Sequence, residues 1–204
     1  MSTLRKIFIV LAVGMLLVSV IGMFLPSKRY LERSITIYTP PSVVFEEVNS
    51  LKKWEKWSPW RDMDPHAITN YEGPEAGIGC TMSWHSPNPK VGKGTQRIVV
   101  SEPNQRVVMD LDFADWDGTI TAGWEFEEQA EGETRVTWSN SSDNKGKILS
   151  KYMDLIMSPG LGKNYEQGLK NLKAHVENAY AQRREPQEEV EDEEIAARAT
   201  RRMP

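Results

Sequence analysis

The chain has 204 residues, a formal net charge of -4 and one cysteine. That length allows one domain with a core of ordinary size, plus appendages. The acidic balance argues against a nucleic-acid partner. The lone Cys80 rules out an intrachain disulfide, and it reads as a small buried hydrophobe.

The run IFIVLAVGMLLVSVIGMFL, Ile7 to Leu25, carries no charge. At about 1.5 Å per residue a helix over it spans roughly 28 Å, close to a bilayer core. Arg5 and Lys6 precede it, and Lys28 and Arg29 follow. A cleaved signal peptide would have an apolar run of about 7–15 residues and small residues at its cleavage site. Here the run is longer and ends Met-Phe-Leu-Pro. Residues 1–28 are therefore expected to form an uncleaved single-pass anchor. The basic flanks nearly balance, so the positive-inside bias is weak. A short N-terminal tail that stays in the cytosol places the following domain on the non-cytoplasmic side.

A globular domain is expected over residues 30–180. RSITIYTP alternates and is β-branched, which predicts a strand. Pro40-Pro41 stops it, and Ser42 is expected to cap a helix. That helix carries Val44, Phe45, Val48 and Leu51 on one face for about three turns and runs into WEKWSPW. Trp54 and Trp57, three apart, share a face on its last turn. Pro59 disfavours helix at Ser58, so the loop sets Trp60. These rings either plug one end of the domain or gate it; a plug is expected.

Turn-separated strands follow. HAITNYEG, IGCTMSWHS, KGTQRIVVSE, QRVVMDLDFAD, GTITAGWEFEEQ and ETRVTWSNSS argue for an antiparallel meander. Val107, Met109, Leu111 and Phe113 share one face, opposite Val108, Asp110 and Asp112. Ile120, Ala122, Trp124 and Phe126 oppose Thr121, Gly123, Glu125 and Glu127, and Val136 and Trp138 oppose Arg135 and Thr137. One face is apolar and one wet, so one side of the sheet is covered. The cover is a long C-terminal helix with Tyr165, Leu169, Leu172 and Val176 at helical spacing, after a lead-in interrupted at Pro159-Gly160. Residues 183–204 form a charged segment with almost no apolar periodicity, read as a disordered, solvated tail or frayed helix. The architecture expected is α+β: a curved antiparallel sheet gripping a long helix, behind a transmembrane helix.

Little in the pattern suggests chemistry. His66, His85 and His175 lack metal-ligand spacing, and no metal or cofactor is expected. The Gly77-Ile78-Gly79 and Gly92-Lys93-Gly94 pairs do not precede helices, so they read as strand bends and turns rather than phosphate loops. Asp110 and Asp112 lie on the wet face. No carboxylate or histidine takes the apolar parity, which weighs against general acid–base catalysis.

Taken in order, WEKWSPWRDMDP, YEGPEAGIGCTMSWHS, VGKGTQRIVVSEPNQRVVMDLDF, GETRVTWSNS and MDLIMSPGLGKNYEQGLKNLKAHVE resemble the SRPBCC superfamily (START-like, helix-grip). Within it they resemble the polyketide cyclase/dehydrase and lipid-transport group, over Ser34 to about Glu177. The resemblance implies a hydrophobic cavity between sheet and helix, and members include carriers and cyclases. Candidate cavity residues are Trp57, Trp60, Met82, Trp84, Met109, Leu111, Phe113, Trp124, Trp138, Met153 and Met157. The expected ligand is a hydrophobic small molecule or lipid. A cyclase/dehydrase-like enzyme and a non-catalytic membrane-associated interaction protein are the alternatives.

Overall fold

The computed structural model describes residues 3–114, 118–144 and 146–201. Helix α1 covers Thr3–Phe24 and is long and apolar enough to cross a membrane. Strand β1, Lys28–Ile37, follows within four residues. Then come α2 (Pro41–Val48), a 3-10 segment (Leu51–Lys56) and the short α3 (Pro59–Met63). Six strands follow: β2 (Ile68–Glu72), β3 (Thr81–His85), β4 (Lys93–Glu102), β5 (Arg106–Phe113), β6 (Thr119–Ala130) and β7 (Glu133–Asp143). The last element, α4, runs Ile148–Arg201.

All seven strands join one antiparallel sheet in the order β1-β7-β6-β5-β4-β3-β2. The meander expected from the turn spacing is present, and β1 closes it by pairing with β7 from Lys28↔Asp143 to Ile37↔Thr134. Helix α4 lies along the apolar face and runs parallel to β1. Glu166 meets Arg33 at 2.7 Å, Lys173 donates to the Thr36 carbonyl at 2.6 Å, and Glu177 accepts from the Tyr38 amide at 2.8 Å. The fold is the expected helix-grip.

Three local expectations are corrected. The first helix does not run into the tryptophans: it stops at Val48. Asn49 accepts a hydrogen bond from the Ser101 hydroxyl, and Ser50 donates to the Glu75 carbonyl. These side-chain bonds compete with helix continuation. Ser42 does not cap α2; Pro41 occupies the first turn, where its missing N–H costs nothing. Pro159-Gly160 does not interrupt α4, whose backbone is helical throughout. Packing of the flanking helix on the sheet overrides the roughly 3 kcal/mol local penalty of an interior proline. The backbone is also helical from Arg183 to Arg201, where the sequence reads as a tail or frayed helix.

The core centres on rings. Trp124 stacks on Trp138 at 4.3 Å, and Trp138 stacks on Tyr165 of α4 at 3.9 Å. This column joins β6, β7 and α4. Gly168 sits one turn beyond Tyr165; a Cβ there would lie 2.8 Å from the Trp138 ring and 3.0 Å from Pro59 Cδ. The bare backbone is what lets α4 come this close. Trp54 and Trp57 pack edge-on against Trp124 and Trp138 at 5.6–6.3 Å.

Beside the rings, Glu47 of α2 is buried (8 % exposed) yet charged. Lys53 reaches it at 2.9 Å and His175 of α4 at 3.1 Å. Burial pushes its carboxyl up, but the hydrogen bonds and charges of Lys53 and His175 outweigh this and hold it below its ordinary value.

Truncating Trp138 to Ala is expected to cost about 3–5 kcal/mol, because it opens a void at the centre of the column. Denaturant unfolding of the full chain in detergent measures this. A loss under about 1 kcal/mol would show that the column does not hold α4 to the sheet. Glu47 is lowered on folding, so it stabilises above the unfolded value and the gain disappears as pH falls through the folded value. Stability is thus expected to fall as pH drops below the ordinary carboxylate range, with a shallower fall in Glu47→Gln. Identical pH profiles would remove the role assigned to this ion cluster.

Candidate functional site

Strand direction divides the gripped interior into two ends. One end collects the start of β1, the end of β7, the start of β6, the end of β5, the start of β4 and the end of β3. It lies next to the C-terminus of α1 and the first turn of α4. The opposite end lies under α2 and the 3-10 segment, and α3 runs from there toward the first end, where the Met63 carbonyl accepts from Asn88 at 3.1 Å and Asp64 accepts from the Ser86 hydroxyl.

That opposite end is sealed. Trp57 is 2 % exposed and lies among Trp54, Trp124 and Trp138. Trp54 donates its indole N–H to the Val48 carbonyl at 3.0 Å. Asn171 of α4 donates to the Trp57 carbonyl and to Asp62, both at 3.1 Å, which ties the tryptophan segment to the helix. Phe45 closes the end edge-on against Phe126 at 5.9 Å.

The end nearest α1 is different. Met82, Trp84, Leu111, Phe113 and Ile120 share the inner face there, and each is only half-buried. Trp84 packs edge-on against Phe113 at 5.3 Å and donates its N–H to the Val91 carbonyl at 3.1 Å. Trp84 stands opposite Gly94, where a Cβ would lie 2.7 Å from its ring. The indole therefore lies down over bare backbone.

Polar groups are set into this apolar wall. Gln96 pairs across from Leu111, is buried, and its Nε2 has no partner among the described residues. Asn140 and Ser142 of β7 are buried on the same face. The Asn140 side chain hydrogen-bonds the Tyr165 hydroxyl, whose ionisation burial pushes far up. At this end the inner face of the described strands carries Arg29, which pairs with Ser142, but neither a carboxylate nor a histidine. Such a wall can enclose an apolar molecule and orient it with a few polar groups.

The residues singled out in the sequence separate accordingly. Met82, Trp84, Leu111 and Phe113 come together at the end nearest α1. Trp57, Met109, Trp124 and Trp138 lie in the packed core, and Trp60 is half-buried, edge-on to Trp138 at 5.6 Å. The side chains of Met153 and Met157 lie outside the described residues. Gln96, Ile120, Asn140 and Ser142 were not among the candidates. The seventh-strand alternation, carried two steps past Trp138, points to Asn140 and Ser142. Ile120 already had the apolar parity. Gln96 is two residues before Ile98 and could have been found the same way.

Two surface concavities lie elsewhere. One of about 490 Å³ is lined by Ser50, Lys53, Tyr71, Glu72 and neighbours, and one of about 470 Å³ by Glu102, Arg106, Glu125 and neighbours. Both have mixed-charge linings. Among the described residues no cluster of His, Cys, Asp or Glu is suited to a metal ion.

This is the architecture of a helix-grip domain, a class in which sheet and helix can hold a ligand between them. The chain belongs to the polyketide cyclase / dehydrase and lipid transport family, whose description matches residues 29–177. No curated protein matches it. Among solved structures it is similar to the di-domain ARO/CYC StfQ from the steffimycin biosynthetic pathway. That match has 14% identity and a TM-score of 0.57, and covers 76% of this chain and 52% of that one. It is also similar to norcoclaurine synthase from Thalictrum flavum in complex with dopamine and hydroxybenzaldehyde, at 10% identity and a TM-score of 0.54, covering 76% and 90%. A protein from Mycobacterium smegmatis matches at 16% identity and a TM-score of 0.51, covering 74% and 92%. At these identities the likeness shows the fold.

Tyr165→Phe keeps the ring column but leaves the Asn140 side chain without its partner. It is expected to cost about 1–3 kcal/mol. Unfolding of Tyr165→Phe and of the double variant with Asn140→Leu measures this. The double variant should recover part of the loss; no recovery would mean the pair is not coupled.

Proposed function

We propose that this protein is a membrane-tethered domain that binds a hydrophobic small molecule, such as a lipid, at the end of the grip nearest α1. The observation that carries this reading is the half-buried apolar wall of Met82, Trp84, Leu111, Phe113 and Ile120. Five large apolar side chains on one concave face, left partly open, cost free energy in water unless something covers them. The family's lipid-transport members are consistent with such a ligand. The apolar helix α1 supports a tether that keeps the wall near a bilayer, where such ligands concentrate. The domain is proposed to lie on the non-cytoplasmic side.

A cyclase- or dehydrase-like reaction is the second reading, favoured by the polar atoms of Gln96, Asn140 and Ser142 beside the apolar wall. It would need a group that moves a proton near neutral pH. The inner-face strand residues described at this end offer amides, a hydroxyl and the Arg29 guanidinium, none of which exchanges a proton near neutral pH, so binding comes first.

Native mass spectrometry of the detergent-purified full chain should find a bound species of lipid mass. Saturable uptake of a fluorescent fatty acid should weaken at least about tenfold in Leu111→Arg, since a charge in the apolar wall is desolvated without a partner. Phe45→Leu, at the sealed end beside Phe126, should bind as the parent does. Absence of any bound species together with absence of saturable uptake would overturn the proposal.

A further inference from the structure

The first turns of α4 make an unusual contact with α1. Lys151 is 6 % exposed, and its ammonium donates to the carbonyls of Gly22 at 3.2 Å and Met23 at 3.5 Å. These carbonyls belong to the last turn of α1, which has no later amide to bond them. Lys151 thus caps the negative end of α1 from another element. The Tyr152 hydroxyl donates to the Val18 carbonyl at 2.8 Å. Gly22 makes the approach possible: a Cβ there would collide with Ile148 and lie 3.1 Å from the Tyr152 ring.

Large apolar side chains beside this contact are uncovered, among the exposed Lys28 and Lys147. Leu149 is 76 % exposed and Leu155 is 48 % exposed. Leu155 lies one turn beyond Lys151, on the face that meets α1. Phe24 and Tyr30 nearby are also exposed. Val18 lies six residues before Phe24, so the contact reaches about 9 Å back along α1. That matches the 5–10 Å over which an amphipathic helix sinks its apolar side into the headgroup boundary. A tyrosine and a lysine at that level are the residues that suit the layer.

We propose that residues 148–155 of α4 are a second membrane contact, a short interfacial segment locked to α1 by Lys151 and Tyr152. The occupant of this surface is the lipid bilayer into which α1 runs, because the exposed leucines continue the apolar surface of that helix. The consequence is directional. The half-open apolar wall lies at the same end of the sheet, so this lock holds the wall at the bilayer surface rather than at the end of a loose tether. The inference rests on α1 being an anchor.

The test uses the full chain in phosphatidylcholine/phosphatidylglycerol vesicles. Cys80 is replaced by Ser, and a single environment-sensitive label is placed at Leu149, Leu155, Val13 or Glu131. Lipids brominated near the headgroup or deep in the acyl chain serve as quenchers. Val13 should be quenched best by deep bromines, and Leu149 and Leu155 by shallow ones, at least threefold above Glu131 in the distant β6–β7 turn. Leu149 and Leu155 matching Glu131 while Val13 is quenched would overturn the second contact and leave the anchor standing. An unquenched Val13 would overturn both. Labels at 149 and 155 that are shielded from water but not quenched would show that protein covers this surface, and would also overturn the proposal.

Discussion

The stack of Trp124, Trp138 and Tyr165 is the contact on which the rest of the molecule depends. It runs through β6, β7 and α4 with ring separations of 4.3 and 3.9 Å. An α4 that did not meet Trp138 would leave the apolar face of a seven-stranded sheet uncovered. Each stacked pair contributes about 0.5–1.5 kcal/mol beyond the area it buries. The indole N–H groups of Trp57, Trp124 and Trp138 find no acceptor among the described residues, which offsets part of that gain. Ring faces in the edge-on pairs can accept weakly from such donors.

The stack also divides the interior. On one side of it the tryptophan segment and α2 fill the grip and are fastened by Asn171 and by the Lys53–Glu47–His175 cluster. On the other side the wall is lined by Trp84, Phe113, Leu111 and Met82 and stays half-open. The open side is the one from which α1 departs. A domain plugged at its far end and open at the end from which an apolar helix departs suits the proposed binding of an apolar molecule. The same arrangement would suit an aqueous ligand poorly.

Much of this was legible in the sequence because the strands alternate cleanly. The parity of Val107 through Phe113 and of Ile120 through Phe126 assigned the inner face, and the positions of the turns gave the meander from β2 to β7, though not the pairing of β1 with β7. The spacing of three gave Trp54 and Trp57 a shared face but left plug and gate open, and a 3-10 segment rather than an extended α2 leads through them. The stop at Val48 was hidden because Asn49 and Ser50 find partners 25 or more residues away. Continuity of α4 through Pro159 was hidden for a related reason: a local breaker loses to packing that only the folded sheet supplies. The split between sealed and open ends depends on which strand termini meet. Alternation gives the face of a residue but not its height along the sheet. The capping of α1 by Lys151 left no local signal at all, since it joins residues 128 and 129 positions apart.

The central claim is that the open wall at the α1 end of the sheet, and not the tryptophan plug, holds a hydrophobic ligand. Photo-crosslinking with a diazirine fatty acid, followed by peptide mapping of the full chain in vesicles, tests it most directly. The account predicts saturable labelling on the segments 81–85 and 109–113. Labelling confined to residues 54–60, or labelling that does not saturate anywhere in 30–180, would contradict it.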